Sequence, residues 1–232
     1  MTGFIKNLAK KEILAPHINR YMDKAEFPPK FNIDIRTHKE PDDAFHPSGD
    51  CSPCARALYA KFTGIVERQP LTGSNHKAFF VGHFWHEMLQ QIICEGLGYC
   101  EKSDIEKELR FQDQKWWARG FADIARCEVP GRGSYLIDFK TMNGFHFAKP
   151  PQALIEKWRM QVSCYMAWDN RVESAIIIGI QKDAPHNFQE FVIERDDALL
   201  EPIYYKWSLV ADAIKTGIPP ECECEDCNVI LY

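Results

Sequence analysis

A change of hydrophobic period in the middle of the chain most constrains its fold. Residues 76–96 carry an apolar side chain every four positions, the spacing of a helix that buries one face. The segments that follow change to the alternation of strands. In chain order, the further predicted elements are strands at 104–112, 118–127 and 134–141, a helix at 152–169, strands at 172–182 and 187–194, and a helix at 196–216. This order predicts a single mixed-sheet α/β domain.

Shorter segments flank this central pattern. Residues 3–25 have the spacing of a helix, residues 27–50 form a linker rich in Pro, Asp and His, and residues 52–63 predict a short helix. We therefore divide the chain into an N-terminal helical extension, residues 1–45, and one domain, residues 46–232.

The composition is that of an ordinary globular protein, with 45% hydrophobic and 26% charged residues. The longest apolar run is residues 175–180, whereas a membrane helix needs about 20 apolar residues, so no membrane partner is expected. The N-terminus lacks the apolar core of a secretory signal, and we expect a cytoplasmic protein. The net charge of −5 does not point to nucleic acid, although a nearly neutral body can still carry a local basic groove.

Asp138 and Lys140 stand two residues apart in the predicted strand 134–141, so their side chains project from the same face. Buried charges need partners, because an unpaired buried charge is costly in free energy. Asp123 on the preceding strand can bring a second carboxylate to the same place. Together with His86 from the long helix, these carboxylates form a donor set suited to Mg²⁺ or Mn²⁺. The alternative for an isolated D-x-K is an exposed strand face.

Two further positions extend the pattern. Gln161 and Tyr165 are four residues apart and share a face of the predicted helix 152–169. His86 is not part of a zinc-protease motif, because Gln90 occupies the position of the second histidine. Taken singly, each of these side chains can be structural, and only their combination in this order is specific.

The order G-x3-H, G-x2-D, D-x-K-T and Q-x3-Y resembles RecB-like nucleases of the PD-(D/E)XK superfamily. The stretch from Cys54 to Tyr59 is similar to the C-x-R-x2-Y stretch that precedes this pattern in the family. Cysteines at both ends resemble those of the CRISPR-associated Cas-four type and its phage-encoded relatives. The resemblance covers residues 46–232. It implies a restriction-endonuclease-like mixed sheet flanked by helices, and a divalent-metal-dependent DNA exonuclease that prefers single-stranded or end-frayed DNA.

The resemblance also implies roles for individual residues. His86, Asp123 and Asp138 would be metal ligands for Mg²⁺ or Mn²⁺. The backbone carbonyl of Phe139 would be a further ligand, and Lys140 would be the catalytic lysine. Two other acids near the pattern, Glu87 and Glu108, are given no role.

DNA contacts follow from the same resemblance. Gln161 and Tyr165 would belong to the helix that positions DNA near the metal. Aromatic side chains can stack on bases, and Trp85, Trp116 and Trp117 are candidates, with core or edge packing as the alternative for each. Related enzymes include toroidal assemblies, so the resemblance allows a homo-oligomer, although no residue of this sequence indicates one. The alternative function is a non-cleaving nuclease-like module that binds DNA or protein and carries a structural zinc site.

Five of the nine cysteines form two clusters, C-x2-C at 51–54 and C-x-C-x2-C at 222–227. Clustered cysteines in a reducing compartment more often bind metal than form disulfides. By spacing alone, two C-x2-C pairs favour a tetrahedral zinc site. The other cysteines are scattered, and we interpret them as ordinary semi-buried thiols: Cys94, Cys100, Cys127 and Cys164.

The family resemblance instead implies a structural iron–sulfur cluster of the 4Fe-4S kind, which takes four thiolates. Its ligands would be Cys54, Cys222, Cys224 and Cys227, with Cys51 as an alternative ligand. The family's tail is usually spaced C-x2-C-x5-C, so the spacing here departs from the pattern. With either metal, the site would join the N- and C-terminal segments of the domain.

We predict that Cys224→Ala lowers both the melting temperature and the bound metal, because it removes one thiolate from a site that ties distant segments together. Metal analysis for iron, sulfide and zinc, together with thermal unfolding, checks this. Cys127→Ala is the control for metal content. A Cys224→Ala protein with unchanged melting temperature and metal content would contradict the cluster.

Overall fold

The structure is a computed structural model that describes residues 12–24, 43–66, 73–184 and 187–222. Within these ranges, no helix is long and apolar enough to cross a membrane. The helices are α1 (Ala15–Lys24), α2 (Pro47–Asp50), α3 (Ala55–Phe62), α4 (Gly73–Gln91), α5 (Gly144–Ala148), α6 (Gln152–Asp169) and α7 (Leu200–Thr216). The strands are β1 (Ile105–Gln112), β2 (Trp117–Val129), β3 (Gly133–Met142), β4 (Ser174–Gln181) and β5 (Phe188–Glu194).

The five strands form one sheet in the order β1-β2-β3-β4-β5. Neighbouring strands are antiparallel except β3 and β4, which run parallel. A parallel pair needs a long crossover, and here the crossover contains α5 and α6. The predicted α/β class with a mixed sheet flanked by helices is therefore confirmed.

Helices cover the two faces of the sheet. Side chains of α1 and α4 pack with Ile137 and Phe139 on one face. Side chains of α6 pack with Leu136 and Ile177 on the other. Because successive residues of a strand alternate between faces, Asp138 and Lys140 belong to the α6 face. This alternation determines which helix can supply partners to each charged residue.

The predicted linker 27–50 is wrong at its end, where Pro47–Asp50 form α2. Phe45 precedes this helix and bridges to Ala118 of β2, and its ring stacks on Trp207 at 5.1 Å. A proline at the start of a helix loses no intrahelical hydrogen bond, which explains why the Pro-rich segment can become helical here. Residues 25–42 lie outside the described residues, so the domain boundary at residue 45 stays a prediction.

Two predicted helix boundaries also need correction. The helix predicted at 76–96 is α-helical only to Gln91, and its last turn, Ile92–Gly96, is π-helical. Its apolar residues still reach the core, so the hydrophobic pattern persists while the hydrogen bonding changes. The final predicted helix begins with a 3₁₀ turn, Asp197–Leu199, where Asp196 accepts from the backbone N–H of Ala198 at 3.1 Å.

The N-terminal helix α1 starts at Ala15, later than the predicted 3–25, and residues 3–11 lie outside the described residues. The carboxylate of Glu190 on β5 accepts from the backbone N–H groups of Ile13 at 2.5 Å, of Leu14 at 2.7 Å, and of Ala15. These donors have no intrahelical partner, so a buried acidic side chain from a distant strand satisfies the beginning of the helix. Burial raises the pKa of Glu190, and the three N–H donors oppose this shift.

The interpretation of the scattered cysteines is wrong in part. Cys94 and Cys100 form a disulfide, with Cα atoms 4.7 Å apart, because the chain turns back after the π-helical turn. Cys127 and Cys164 are fully buried rather than semi-buried. Burial raises the pKa of the Cys127 thiol to about 12, so this side chain acts as a small apolar group.

We predict that Glu190→Ala lowers the free energy of unfolding by about 2–3 kcal/mol, because it leaves buried N–H donors without an acceptor. Urea unfolding at neutral pH measures the change. Glu194→Ala, which removes an exposed carboxylate from the same strand, is the matched control and should cost less than about 0.5 kcal/mol. Equal stability of the two variants would contradict the role of Glu190.

Candidate active site

The sheet opens between β2 and β3 at the predicted site. Their register runs from Val129↔Gly133 to Ile124↔Ile137, with a bulge between Ile124 and Cys127. Beyond this point the side chain of Asp123 replaces the strand partner, and its Oδ2 accepts from the backbone N–H of Phe139 at 2.6 Å. The candidate site lies in this gap.

The α4 side of the gap pairs a histidine with this carboxylate. His86 Nδ1 lies 3.0 Å from Asp123 Oδ1. Burial favours the neutral form of His86, but the neighbouring Asp123 carboxylate outweighs burial and raises the pKa of His86. Burial likewise opposes ionisation of Asp123, while His86, Lys140 and the Phe139 N–H together lower the pKa of that carboxyl. Asp123 is thus held as a carboxylate.

The α6 side of the gap holds a three-membered polar network. Lys140 Nζ lies 2.6 Å from Asp138 Oδ2 and donates to Gln161 Oε1 at 3.1 Å. The amide of Gln161 donates to Asp138 Oδ1 at 2.9 Å. Both Asp138 and Gln161 are buried, so each partner in this network is fixed by the other two.

Asp138 differs from Asp123 in its electrostatics. Burial raises the pKa of Asp138, Lys140 opposes the shift, and the nearby Asp123 carboxylate adds to it. The buried Oδ2 of Asp138 accepts no hydrogen bond and has only its ion pair with Lys140. An acidic oxygen in this state can accept a cation.

Tyr165 fits against the backbone of Gly120. A Cβ at position 120 would lie 2.6 Å from the Tyr165 hydroxyl oxygen, so only glycine leaves room for this ring. Gln161 Nε2 lies 3.4 Å from the same hydroxyl. Burial, and next the charge of Asp138, raise the pKa of Tyr165 well above its usual range, so the hydroxyl stays protonated. The first residue of the G-x2-D pattern, Gly120, and the last residue of the Q-x3-Y pattern, Tyr165, are therefore in direct contact.

The structure brings most of the predicted site residues together at the gap: His86, Asp123, Asp138, Phe139, Lys140, Gln161 and Tyr165. Asp138 and Lys140 share a face, as the strand alternation predicts. Asp123 does not join them on that face, because it meets His86 on the α4 side. Phe139 contributes its backbone N–H to Asp123, and its role as a carbonyl ligand stays a prediction.

The tryptophans predicted as base-stacking candidates occupy other environments. Trp85 and Trp116 are buried in the core, so they cannot stack on bases, and the packing alternative holds. The indole N–H of Trp117, at the start of β2, donates to Asp43 at 3.1 Å. Glu108 forms ion pairs with Arg110 of β1 and Arg119 of β2 and is not part of the polar network in the gap.

One residue of the site was not predicted. Gln90, one turn after His86 on α4, is buried and donates its amide to the backbone carbonyl of Asp123 at 3.1 Å. In the sequence, Gln90 stands out only as the residue that excludes a zinc-protease motif. Its spacing of four residues from His86 was the available signal, because such residues share a helix face.

Within the described ranges, no three His, Cys, Asp or Glu side chains are grouped as a metal site. The geometry explains this, because Asp123 is paired with His86 on the α4 side and Asp138 with Lys140 on the α6 side. The donors nevertheless fit a hard divalent cation. Two carboxylates and an imidazole line one gap, and Asp138 Oδ2 is buried without a hydrogen bond.

The cysteines of the first cluster lie in different environments. Cys51 is buried, with its Sγ 3.8 Å from Cys164 Sγ. Cys54 is half-buried at the start of α3, where its Sγ accepts from the Ala57 N–H at 3.4 Å. Cys222 is described and half-buried, whereas Cys224 and Cys227 lie outside the described residues. The metal cluster therefore stays a prediction.

The sequence matches no protein-family model and no curated protein. Among solved structures, the chain is similar to SSO0001 at 16% identity and a TM-score of 0.48, covering 92% of this chain and 86% of that chain. It is also similar to the alkaline exonuclease LHK-Exo from Laribacter hongkongensis at 18% identity and a TM-score of 0.46, covering 76% and 90%. LHK-Exo in complex with dAMP gives 18% identity, a TM-score of 0.47 and the same coverage. Similarity at this level does not assign a function, and the chemistry rests on this chain's own side chains.

We predict that Gly120→Ala lowers the free energy of unfolding by about 1–3 kcal/mol, because its methyl group would overlap the buried Tyr165 ring. Chemical denaturation measures the loss. Gly82→Ala on α4 is the control, since its Cβ meets Thr141 Oγ1 at an ordinary 3.5 Å. That substitution should stabilise the helix by about 0.5–1 kcal/mol. Opposite signs are expected for the two variants, and a neutral Gly120→Ala would contradict the Tyr165 contact.

Proposed function

We propose that this chain is a divalent-metal-dependent deoxyribonuclease, an exonuclease that acts on single-stranded DNA or frayed ends. The observation that carries the proposal is the polar network in the gap between β2 and β3. There a buried Asp138–Lys140 pair lies beside the second carboxylate, Asp123, and an imidazole, His86. A purely structural site gains little from two acids that line one gap, the buried Asp138 and the partly buried Asp123, because each must be neutralised by a partner.

The chain's own residues position and stabilise the reacting phosphate in this proposal. A water attacks phosphorus in line with the leaving oxygen, whose bond to phosphorus breaks. The water gives up one proton to solvent and the leaving oxygen takes one from solvent, so that one product ends in a phosphate and the other in a hydroxyl. The ammonium group of Lys140 stabilises the negative charge that develops on the phosphate oxygens. Gln161 acts through its neighbours, because it bonds both Asp138 and Lys140 and fixes the distance between them.

The proposed metal site uses His86, Asp123, Asp138 and the backbone carbonyl of Phe139. Bound Mg²⁺ or Mn²⁺ supplies positive charge to the phosphate and lowers the pKa of a water. The pairing of His86 with Asp123 presets the histidine ring, and Gln90 holds the Asp123 backbone in place. These contacts orient the ligands before a cation arrives.

A structural metal cluster completes the proposal. Its ligands would be Cys54 and Cys222, which lie within the described residues, and Cys224 and Cys227, with Cys51 as the alternative. We propose a 4Fe-4S cluster, with zinc as the competing metal. The cluster has no part in the cleavage step.

One observation favours a second function, a nuclease-like module that binds DNA or protein without cutting. Both acids of the gap already have partners inside the protein, Asp123 with His86 and Asp138 with Lys140. Such pairing stabilises the site without a cation. Metal-dependent cleavage distinguishes the two functions.

We predict that the protein degrades end-labelled DNA with Mg²⁺ or Mn²⁺, and that Asp138→Asn lowers the rate by at least about 100-fold, because it removes a charged ligand of nearly the same shape. Excess EDTA should abolish cleavage. Asp212→Asn on the exposed face of α7 is the control and should cleave like the parent. Cleavage that persists in excess EDTA, or that the Asp138→Asn variant retains, would contradict the proposed mechanism.

We predict a smaller effect for Gln161→Ala, about 10- to 100-fold on kcat, because Gln161 acts by holding Asp138 and Lys140. Steady-state kinetics on labelled DNA separate kcat from KM. Gln152→Ala, on the exposed first turn of the same helix, is the matched control. A change confined to KM would show that Gln161 contacts DNA instead of positioning the charged pair.

A further inference from the structure

Exposed aromatic side chains lie at the end of the sheet that carries the site. Phe145 on α5 is 78% exposed, and Phe79 on α4 is 44% exposed. Phe80, next to Phe79, is exposed to a similar degree. Large apolar groups on a surface mark interaction sites when they cluster beside a functional region.

The alignment of α4 with β3 places these rings relative to the site. The ring of His86 lies 5.5 Å from the ring of Phe139. Four residues earlier on α4, a Cβ at Gly82 would lie 3.5 Å from Thr141 Oγ1, two residues further along β3. The helix therefore runs antiparallel to the strand, and Phe79 lies about level with Met142, the last residue of β3. With a rise of about 1.5 Å per residue, Phe79 is about 10 Å from His86 along the helix axis.

Phe145 reaches the same end of the sheet from the strand. α5 begins directly after β3, and Asn143 caps it by accepting from the His146 N–H at 2.8 Å. Phe145 is therefore held within five residues of Lys140 and projects into solvent. Phe79 and Phe145 define what we call the aromatic rim.

Basic side chains accompany the aromatic rim. Lys182 follows β4, and its backbone N–H bonds the carbonyl of Met142 at the end of β3. Lys149 ends α5, and Lys77 precedes the rim on α4. These lysines are exposed, with Asp183 as the nearby acid, although the whole chain carries a net charge of −5. The local excess of positive charge suits a polyanion.

We propose that the aromatic rim binds unpaired bases of a single DNA strand that enters or leaves the gap, with the lysines following its phosphates. This inference rests on the proposed nuclease function and adds the residues that select single strands. Exposed rings stack on unpaired bases but not on bases closed within a duplex. Lysine-rich surroundings disfavour a protein partner, because lysine is depleted in protein–protein interfaces.

Fluorescence anisotropy with labelled oligothymidylate, in EDTA to prevent cleavage, tests the rim. Phe145→Ala should weaken binding about tenfold, and the double variant Phe79→Ala/Phe145→Ala more strongly, with little effect on blunt duplex DNA. Phe145→Leu, which keeps an apolar side chain without a ring, should lose as much as alanine. Tyr205→Ala removes an exposed aromatic from α7 and is the matched control.

Several outcomes would contradict the proposal that the aromatic rim binds single-stranded DNA. These are a parent chain that does not bind oligothymidylate, a double variant that binds like the parent, or an equal loss on blunt duplex. A parent dimer that the double variant disrupts in size-exclusion chromatography would assign the rim to a second copy of the chain. Cleavage by Asp138→Asn and strand binding by the rim variants are separate measurements, so the two proposals can fail independently. If Asp138→Asn still cuts, the proposed catalytic site fails while the binding result for the rim stands.

Discussion

The hydrogen bond from the Phe139 N–H to the Asp123 carboxylate is the contact on which the site depends. It ends the pairing of β2 with β3 and satisfies a backbone donor that the separation of the strands would otherwise leave without a partner. The same carboxylate contacts His86, so it also joins α4 to the sheet. The side chain of Asp123 thus lies where β2 and β3 separate, and it places a negative charge in the gap between them.

The two acids of the gap belong to opposite faces of the sheet, and this arrangement accounts for their different electrostatics. Asp123 has a histidine partner and a backbone donor, and its pKa is lowered. Asp138 is buried against α6, and its pKa is raised although Lys140 is in contact with it. In the proposed metal site, a cation would replace the partners that α4 and α6 supply to these two acids, so side chains of both helices would affect its affinity.

Much of this structure could be predicted from the sequence, because local periodicity governs the elements. The helix predicted at 152–169 and the strand face shared by Asp138 and Lys140 are both confirmed. The fit of Tyr165 against Gly120 could not be predicted, since it depends on how closely a helix approaches the sheet. Two other features were not predicted for a related reason: the π-helical turn before Cys100 and the helical end of the linker. In both places tertiary packing overrides local preference.

The carboxylate that caps α1 has a consequence for the order in which the chain is completed. The N–H groups of Ile13, Leu14 and Ala15 leave the ribosome early, whereas their acceptor, Glu190, is made 175 to 177 residues later. Until then this helix start has only water as a partner, while the adjacent strands β1, β2 and β3 can already pair through local contacts. The cap of the N-terminal helix therefore forms only after β5 has been synthesised, whereas the contact of His17 with Tyr99 can form much earlier.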